Sequence, residues 1–451
     1  MDTISLEGGT SADELSDEVI GILDKSFIRL ENVVSISTDG CKVMLGEENG
    51  VHAILQRKMT HLPEFGGCPA HDCSNVLKSA VDKLHPDLLK IYHSLPSYIS
   101  SQSLHRWRNY QDFCSEVGID PRNPPKMFEV RFRVLPKMAQ WMERDDRAIY
   151  GFLSQLVSDV KSGVKKDPTE TEMKLLTLLM SNYIEVRLTN KFLIDVTKPL
   201  MKFLDIFEKD EIKIHIQYEK IVELIYGYSS KYLKNAGLDL KEGEVEKVTG
   251  KDLLKIKYED SKLQLSDKDI FLGPLVEEFL AELKLARDSP LISSWLIHVR
   301  EFYVEVMFKL NKYFSTSLKS RTLQYMSVLS PSSVLNNSTE VLRKKWRYLA
   351  EKFNNVVKVR EIPNLMEEVV KLKTVQQMEE VRKPEQFINI LDKKLDEDCD
   401  QEFPTLVRLG KALLTIYNSS SAAERDFSLQ NYLLDQIKEK IVQGSFVYRQ
   451  D

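Results

Sequence analysis

The chain has 451 residues, 42% of them hydrophobic and 29% charged, enough for two or three packed units of an ordinary globular protein. A formal net charge of −5 supplies no overall field for a polyanion, so contact with nucleic acid would have to come from local basic faces. Five irregularly spaced cysteines exclude a disulfide framework and point to a reducing compartment, nuclear or cytoplasmic. The acidic start and the absence of any apolar run near the ~18 residues of a membrane span exclude secretion by a classical leader and a transmembrane segment.

In chain order, "SADELSDEVIGILDKSF" predicts a helix capped by Ser11 with Glu14 three residues on, and Leu15, Val19, Ile22 and Leu23 at helical spacing. "NVVSISTDG" then predicts a short strand, with Val33, Val34 and Ile36 ending on the Asp39–Gly40 turn signal. "GVHAILQRKM" and "SNVLKSAVDKL" read as helices, the second capped by Ser74 or Asn75. The opening is thus α/β and small.

From about Pro86 onward nearly everything reads as helix. Ile214, Tyr218, Ile221, Ile225, Tyr228 and Tyr232 form one stripe, and Pro274 sits at a first-turn position ahead of Leu275, Phe279 and Leu283. "MKLLTLLMSNYIEVRL" and "SSWLIHVREFYVEVMFKL" are apolar enough to be buried on more than one face, as bundle core is. Linkers are expected at Lys165–Glu172, Leu240–Asp252 and Arg382–Pro404, where Pro, Gly and charge cluster.

No Gly-rich phosphate loop, HExxH, GxSxG or kinase signature occurs in the chain. Three short constellations remain. Asp39 ends the expected strand, where a carboxylate can be aimed at a metal, although Asp-Gly is also common turn chemistry. "GCPAHDC" offers Cys68, His71 and Cys73, one ligand short of the four a closed zinc site takes, so a packed helix entry is the better reading. "SAAE" makes a capping box of Ser421 and Glu424. Two basic runs, Arg343–Phe353 and Arg122–Lys137, mix Lys and Arg with aromatic residues, as nucleic-acid surfaces and solvated helix faces both do; the solvated face is the expected reading, with Arg122–Lys137 kept as a candidate for a DNA channel.

These pieces recur in one order: "VSISTDGCKVMLGEENGVHAIL", "CPAHDCSNVLKSAV", "VRFRVLPKMAQWM", "LQYMSVLSP" and "EFPTLVRLGKALLTIYNSSSAAERDFSLQN". Together they resemble the hobo/Activator/Tam3 (hAT) transposase superfamily, in particular its domesticated or degenerate copies, from roughly Asp13 to Ile437. The resemblance implies a fold that is α/β plus a large all-α part: a truncated ribonuclease-H-like core interrupted by a long helical insertion, predominantly helical overall. It implies a core over residues 1–145, an insertion over 146–390, and a C-terminal hAT dimerisation region over 400–445 that returns to the core. Asp39 falls on the family's second catalytic acid and Glu424 on its third, which in active members hold Mg2+ for phosphodiester chemistry. Cys68 and His71 belong to the family motif, and Arg131 and Phe132 stand where the family has Arg-Trp. Leu406, Leu409, Leu413, Ile416 and Phe427 are the dimerisation candidates.

Departures from the pattern shape the functional expectation. Only thirty-eight residues precede Asp39, and they read as tail plus helix, without the hairpin that carries the first catalytic acid or a zinc-binding BED finger. The expectation is therefore a transposase-derived protein without catalysis or cofactor that acts by association with its own copies or with related transposase-derived proteins. Its rivals are a metal-dependent DNA transposase or nuclease, and a non-catalytic DNA or chromatin binder that uses the old catalytic channel, beside which the run Arg122–Lys137 lies by family analogy, without sequence specificity.

Overall fold

The helix starts are set by local chemistry. Ser11 accepts the Glu14 amide while the Glu14 carboxylate accepts the Ser11 amide, which opens helix Ala12–Lys25. Pro274 opens Pro274–Glu282, where a missing N–H costs nothing. Its N-cap, Gly273, has φ +92, and a Cβ there would lie 2.5 Å from the Asp195 Cβ, so both the backbone conformation and the close approach require glycine. Asp195 uses that closeness to accept the Leu275 amide at 2.9 Å, capping the helix from a distant part of the chain.

A computed structural model of the chain describes residues 11–38, 42–46, 48–65, 67–84, 88–100, 104–125, 133–162, 175, 177, 179, 182–209, 211–238, 248–375 and 381–416. The protein is predominantly helical, and among the described residues there is no β-ladder, only isolated bridges at Thr38–Gly67, Leu233–Gln264 and Leu395–Gln401. The stretch expected as a strand is extended chain with a single parallel bridge at its end. The Val33 carbonyl pairs with His61 Nε2 at 2.7 Å, and the Val33 and Ile36 side chains both pack on the helix cluster of Val51, Leu55, Met59 and Leu62. A side chain thus takes up a backbone group that a neighbouring strand would otherwise have paired.

Two other boundaries differ from the expectation. The helix expected to begin at Ser74 or Asn75 begins at Pro69, because proline at the first helical position preorganises the turn upstream of those caps. The Arg382–Pro404 stretch is not a plain linker. Pro384 opens helix Pro384–Asp392, which buries Phe387, Ile388 and Leu391.

The described residues fall into two compact units. The first comprises Met1–Asp72, Asp205–Ile221 and Tyr313–Asp451, the second Cys73–Leu204 and Val222–Lys312. In the first unit segments far apart in the chain are tied together: Ser320 Oγ donates to Glu64 at 3.0 Å, Lys352 Nζ pairs with Glu64 at 3.3 Å, and Asn355 Nδ2 donates to the Glu31 carbonyl at 2.8 Å. The second unit is centred on helices Val134–Arg144 and Tyr183–Val196 and on the part of helix Pro290–Lys319 up to Lys312. Phe192 stands edge-on to Trp295, Phe302 and Tyr303 at 5.3–5.9 Å, and Trp295 Nε1 donates to Thr189.

Candidate functional site: a basic face in the first unit

Between Lys319 and Ala350 the sequence carries six cations, Lys319, Arg321, Arg343, Lys344, Lys345 and Arg347, and one carboxylate, Glu340. Helix Thr339–Lys352 is capped by Ser338 and buries Leu342, Trp346, Leu349 and Ala350. This apolar stripe turns Arg343, Lys344 and Arg347 outward. Arg343 and Arg347 are one turn apart, so their side chains emerge as neighbours.

Helix Arg321–Tyr325 brings more charge to the same place. Its N-cap Ser320 accepts the Leu323 amide at 3.1 Å, and Arg321 lies over the Tyr348 ring with its guanidinium carbon 5.6 Å from the centroid. Tyr348 is held edge-on by Tyr325 at 5.2 Å, and its hydroxyl shares a hydrogen bond with Thr322 at 3.3 Å. Lys345 Nζ donates to Ser327 Oγ at 3.0 Å, and burial lowers its pKa. Among the described residues none of the six cations forms an ion pair. A group of mostly exposed cations that form no ion pair, with two tyrosines among them, can take the phosphates of a polyanion.

Glu64 secures both helices of this face. Burial alone would raise its pKa, but a backbone N–H, the Lys352 ammonium and the Thr322 and Ser320 hydroxyls outweigh that and hold the carboxyl below its ordinary value. Ser320 stands at the start of one basic helix and Lys352 at the end of the other, so a single carboxylate fixes their separation. Buried His52 faces this group. Its pKa is lowered by burial against the opposing Glu64 charge, and its Nε2 has no partner.

The residues singled out by resemblance fare differently. Asp39, Arg131, Phe132, Glu424 and Phe427 lie outside the described residues. Cys68 is buried and His71 partly exposed at the entry of helix Pro69–Val81, and among the described residues no three His, Cys, Asp or Glu side chains gather as a metal would require. Between them and Cys73 sits an acid that the sequence did not flag. Asp72 is buried, its pKa is pushed up to about 7 by burial, and a Cβ on Gly67 would stand 3.3 Å from its Oδ2.

Leu406, Leu409, Leu413 and Ile416 are each at most 2% exposed, inside the first unit. Gly410 lets helix Pro404–Leu414 approach so closely that an added Cβ would meet Ile388 at 2.5 Å, and Glu368 caps the helix through the Thr405 and Leu406 amides. The face expected to meet a second copy is therefore covered within the monomer. The amphipathic pattern is the same in either case, because a core and an interface both select for it.

A cleft in the second unit, lined by Asp146, Tyr183, Arg187 and Asn190 among others, has a space of about 20 Å³, room for a water or two rather than a substrate. Among the described residues no helix is long and apolar enough to cross a membrane. The chain matches no family model, no curated protein and no solved structure.

Proposed function

We propose that the chain derives from a hAT-type transposase and holds nucleic acid through its phosphate backbone, with Arg321, Arg343, Lys344 and Arg347 as the contacts and Tyr348 as a stacking neighbour. The observation that carries this reading is the group of exposed cations without ion pairs in a chain whose net charge is −5. The ancestry rests on the resemblance of the quoted segments and their order in the chain. The ribonuclease-H-like identity of the core belongs to this proposal. So does self-association, which the resemblance assigns to the C-terminal region. With Leu406–Ile416 covered, its carrier would have to be the segment from residue 417 on, and pairing two basic faces would raise the avidity for a long polyanion.

Fluorescence anisotropy with a labelled duplex of arbitrary sequence tests the binding surface. The affinity should fall steeply from 50 to 300 mM salt, with a log–log slope of about −0.9 for each phosphate contacted. Replacing Arg321, Arg343 and Arg347 together by Ala should flatten that slope by about 2 to 3 and weaken unrelated sequences alike. Absence of binding at 50 mM salt, or an unchanged slope in the triple variant, sinks the proposal. Mg2+-dependent nicking abolished by Asp39→Ala would instead favour the nuclease reading.

A further inference from the structure

On the basic face of the first unit Arg321 is set apart from the other cations by the ring beneath it. Its guanidinium carbon stands 5.6 Å from the Tyr348 centroid, and Tyr325 meets Tyr348 edge-on at 5.2 Å. Arg321 is exposed, and among the described residues neither an ion pair nor a hydrogen bond takes its side chain. A guanidinium laid over a ring keeps its opposite face, and its N–H donors, for another partner.

The ring is held in place. The Tyr348 hydroxyl shares a hydrogen bond with Thr322 at 3.3 Å, while Ser320 caps the Arg321 helix through the Leu323 amide at 3.1 Å and donates to Glu64 at 3.0 Å. The helix that carries Tyr348 is fixed to the same carboxylate through Lys352 at 3.3 Å. Both helices are thus positioned before a ligand arrives, which removes the ordering cost of assembling a platform on binding. Gln324, one turn after Arg321, is exposed, and among the described residues no hydrogen bond takes its side chain. An amide that both donates and accepts therefore stands beside the guanidinium.

We infer, on the reading that this face binds phosphates, that its ligand is single-stranded nucleic acid, with one unpaired base stacked on the Arg321 guanidinium and its edge against the Gln324 amide. Arg343, Lys344 and Arg347 can hold the phosphates of either form, but a stacking plane serves only a base that is out of its pair. A duplex, with its bases stacked on one another, brings this plane nothing but phosphate. Phosphates alone favour the duplex, whose charge density is higher and which releases more counterions for each contact. The two contributions act in opposite senses, so the order of affinities reports which one prevails.

Fluorescence anisotropy of the intact chain at 50 mM salt tests this with three labelled ligands of about 20 nucleotides or pairs: an oligothymidylate, a strand of abasic residues, and the dA–dT duplex. The oligothymidylate should bind at least about fivefold tighter than either of the others, the lower end of what one stacked base contributes. Arg321→Lys keeps the charge and loses the plane, so it should weaken the oligothymidylate at least about fivefold more than the duplex. An oligothymidylate no tighter than the duplex or than the abasic strand overturns the inference, and so do equal losses for strand and duplex in Arg321→Lys. Duplex binding in such an outcome leaves the phosphate-binding face standing, whereas no binding of any ligand sinks both.

Discussion

The basic face of the first unit and the Glu143–Arg187 network of the second contain the same ingredients, Lys and Arg beside aromatic rings, with opposite outcomes. In the network Glu143 accepts from Arg187 at 3.1 Å and Lys191 at 2.9 Å, Asp146 takes Arg187 at 3.3 Å and the Tyr183 hydroxyl at 2.7 Å, and both cations lie over Phe279. Tyr92, completely buried, joins through Asn190 at 2.7 Å. The neighbouring carboxylates hold the Arg187 pKa above its ordinary value against the burial that would lower it. On the basic face the exposed Glu340 and Glu351 form no ion pair with Arg343, Lys344 or Arg347, and these cations point outward. A positively charged residue beside an aromatic ring therefore says little by itself. Whether a partly buried carboxylate pairs with it, as Glu143 and Asp146 do with Arg187, decides whether it becomes an internal strut or stays a surface for anions.

Removing one partner from the closed network should have the largest effect. Glu143→Gln leaves Arg187 and Lys191 half-buried without their shared anion and should cost about 3 kcal/mol in urea unfolding. A loss below about 1 kcal/mol would mean that solvent already shares those charges.

His215 extends the contrast inside the first unit, because its Nδ1 is buried without a partner. Burial, with the Lys213 charge, lowers its pKa to about 4. Between the ordinary imidazole value of about 6.5 and pH 4, the unfolded chain binds a proton that the folded chain refuses. The stability it contributes is present above pH ~6.5 and is lost as pH falls through that window, on the order of 2 kcal/mol. His215→Phe should flatten the fall in stability between pH 7 and 4, and an unchanged profile would show that another group titrates.

Asp72 should act in the opposite sense. Its folded pKa, raised to about 7, lies above the unfolded value, so its contribution is present below about pH 4 and is lost as pH rises through 7. Asp72→Asn is expected to gain about 1 kcal/mol at pH 8 and nothing at pH 4, read from paired denaturation curves. The smallest effect belongs to the basic face. Replacing Arg343, Lys344 and Arg347 by Gln should change stability by no more than about 0.5 kcal/mol, since no carboxylate loses a partner. A larger loss would move these residues into the class of Glu143.

Much of the helical framework was legible because its causes are local. The Ser11–Glu14 box and Pro274 at a first turn depend on residues within a turn or two and appear as read, and of the stripe Ile214, Tyr218, Ile221, Ile225, Tyr228 and Tyr232 all but the partly exposed Tyr218 are buried. The outward charge of Arg343–Arg347 was equally readable, because Leu342, Trp346 and Leu349 fix which side of the helix is buried. What the tertiary structure decided involves partners far apart in the chain. Glu64 joins Ser320 and Lys352, His61 takes the Val33 carbonyl in place of a strand, and Gly410 closes on Ile388 so that Leu406 and Leu413 become core rather than interface. A hydrophobic period fixes which face of an element is buried but not what covers it, and a lone carboxylate in a loop gives no sign of the cation that will reach it.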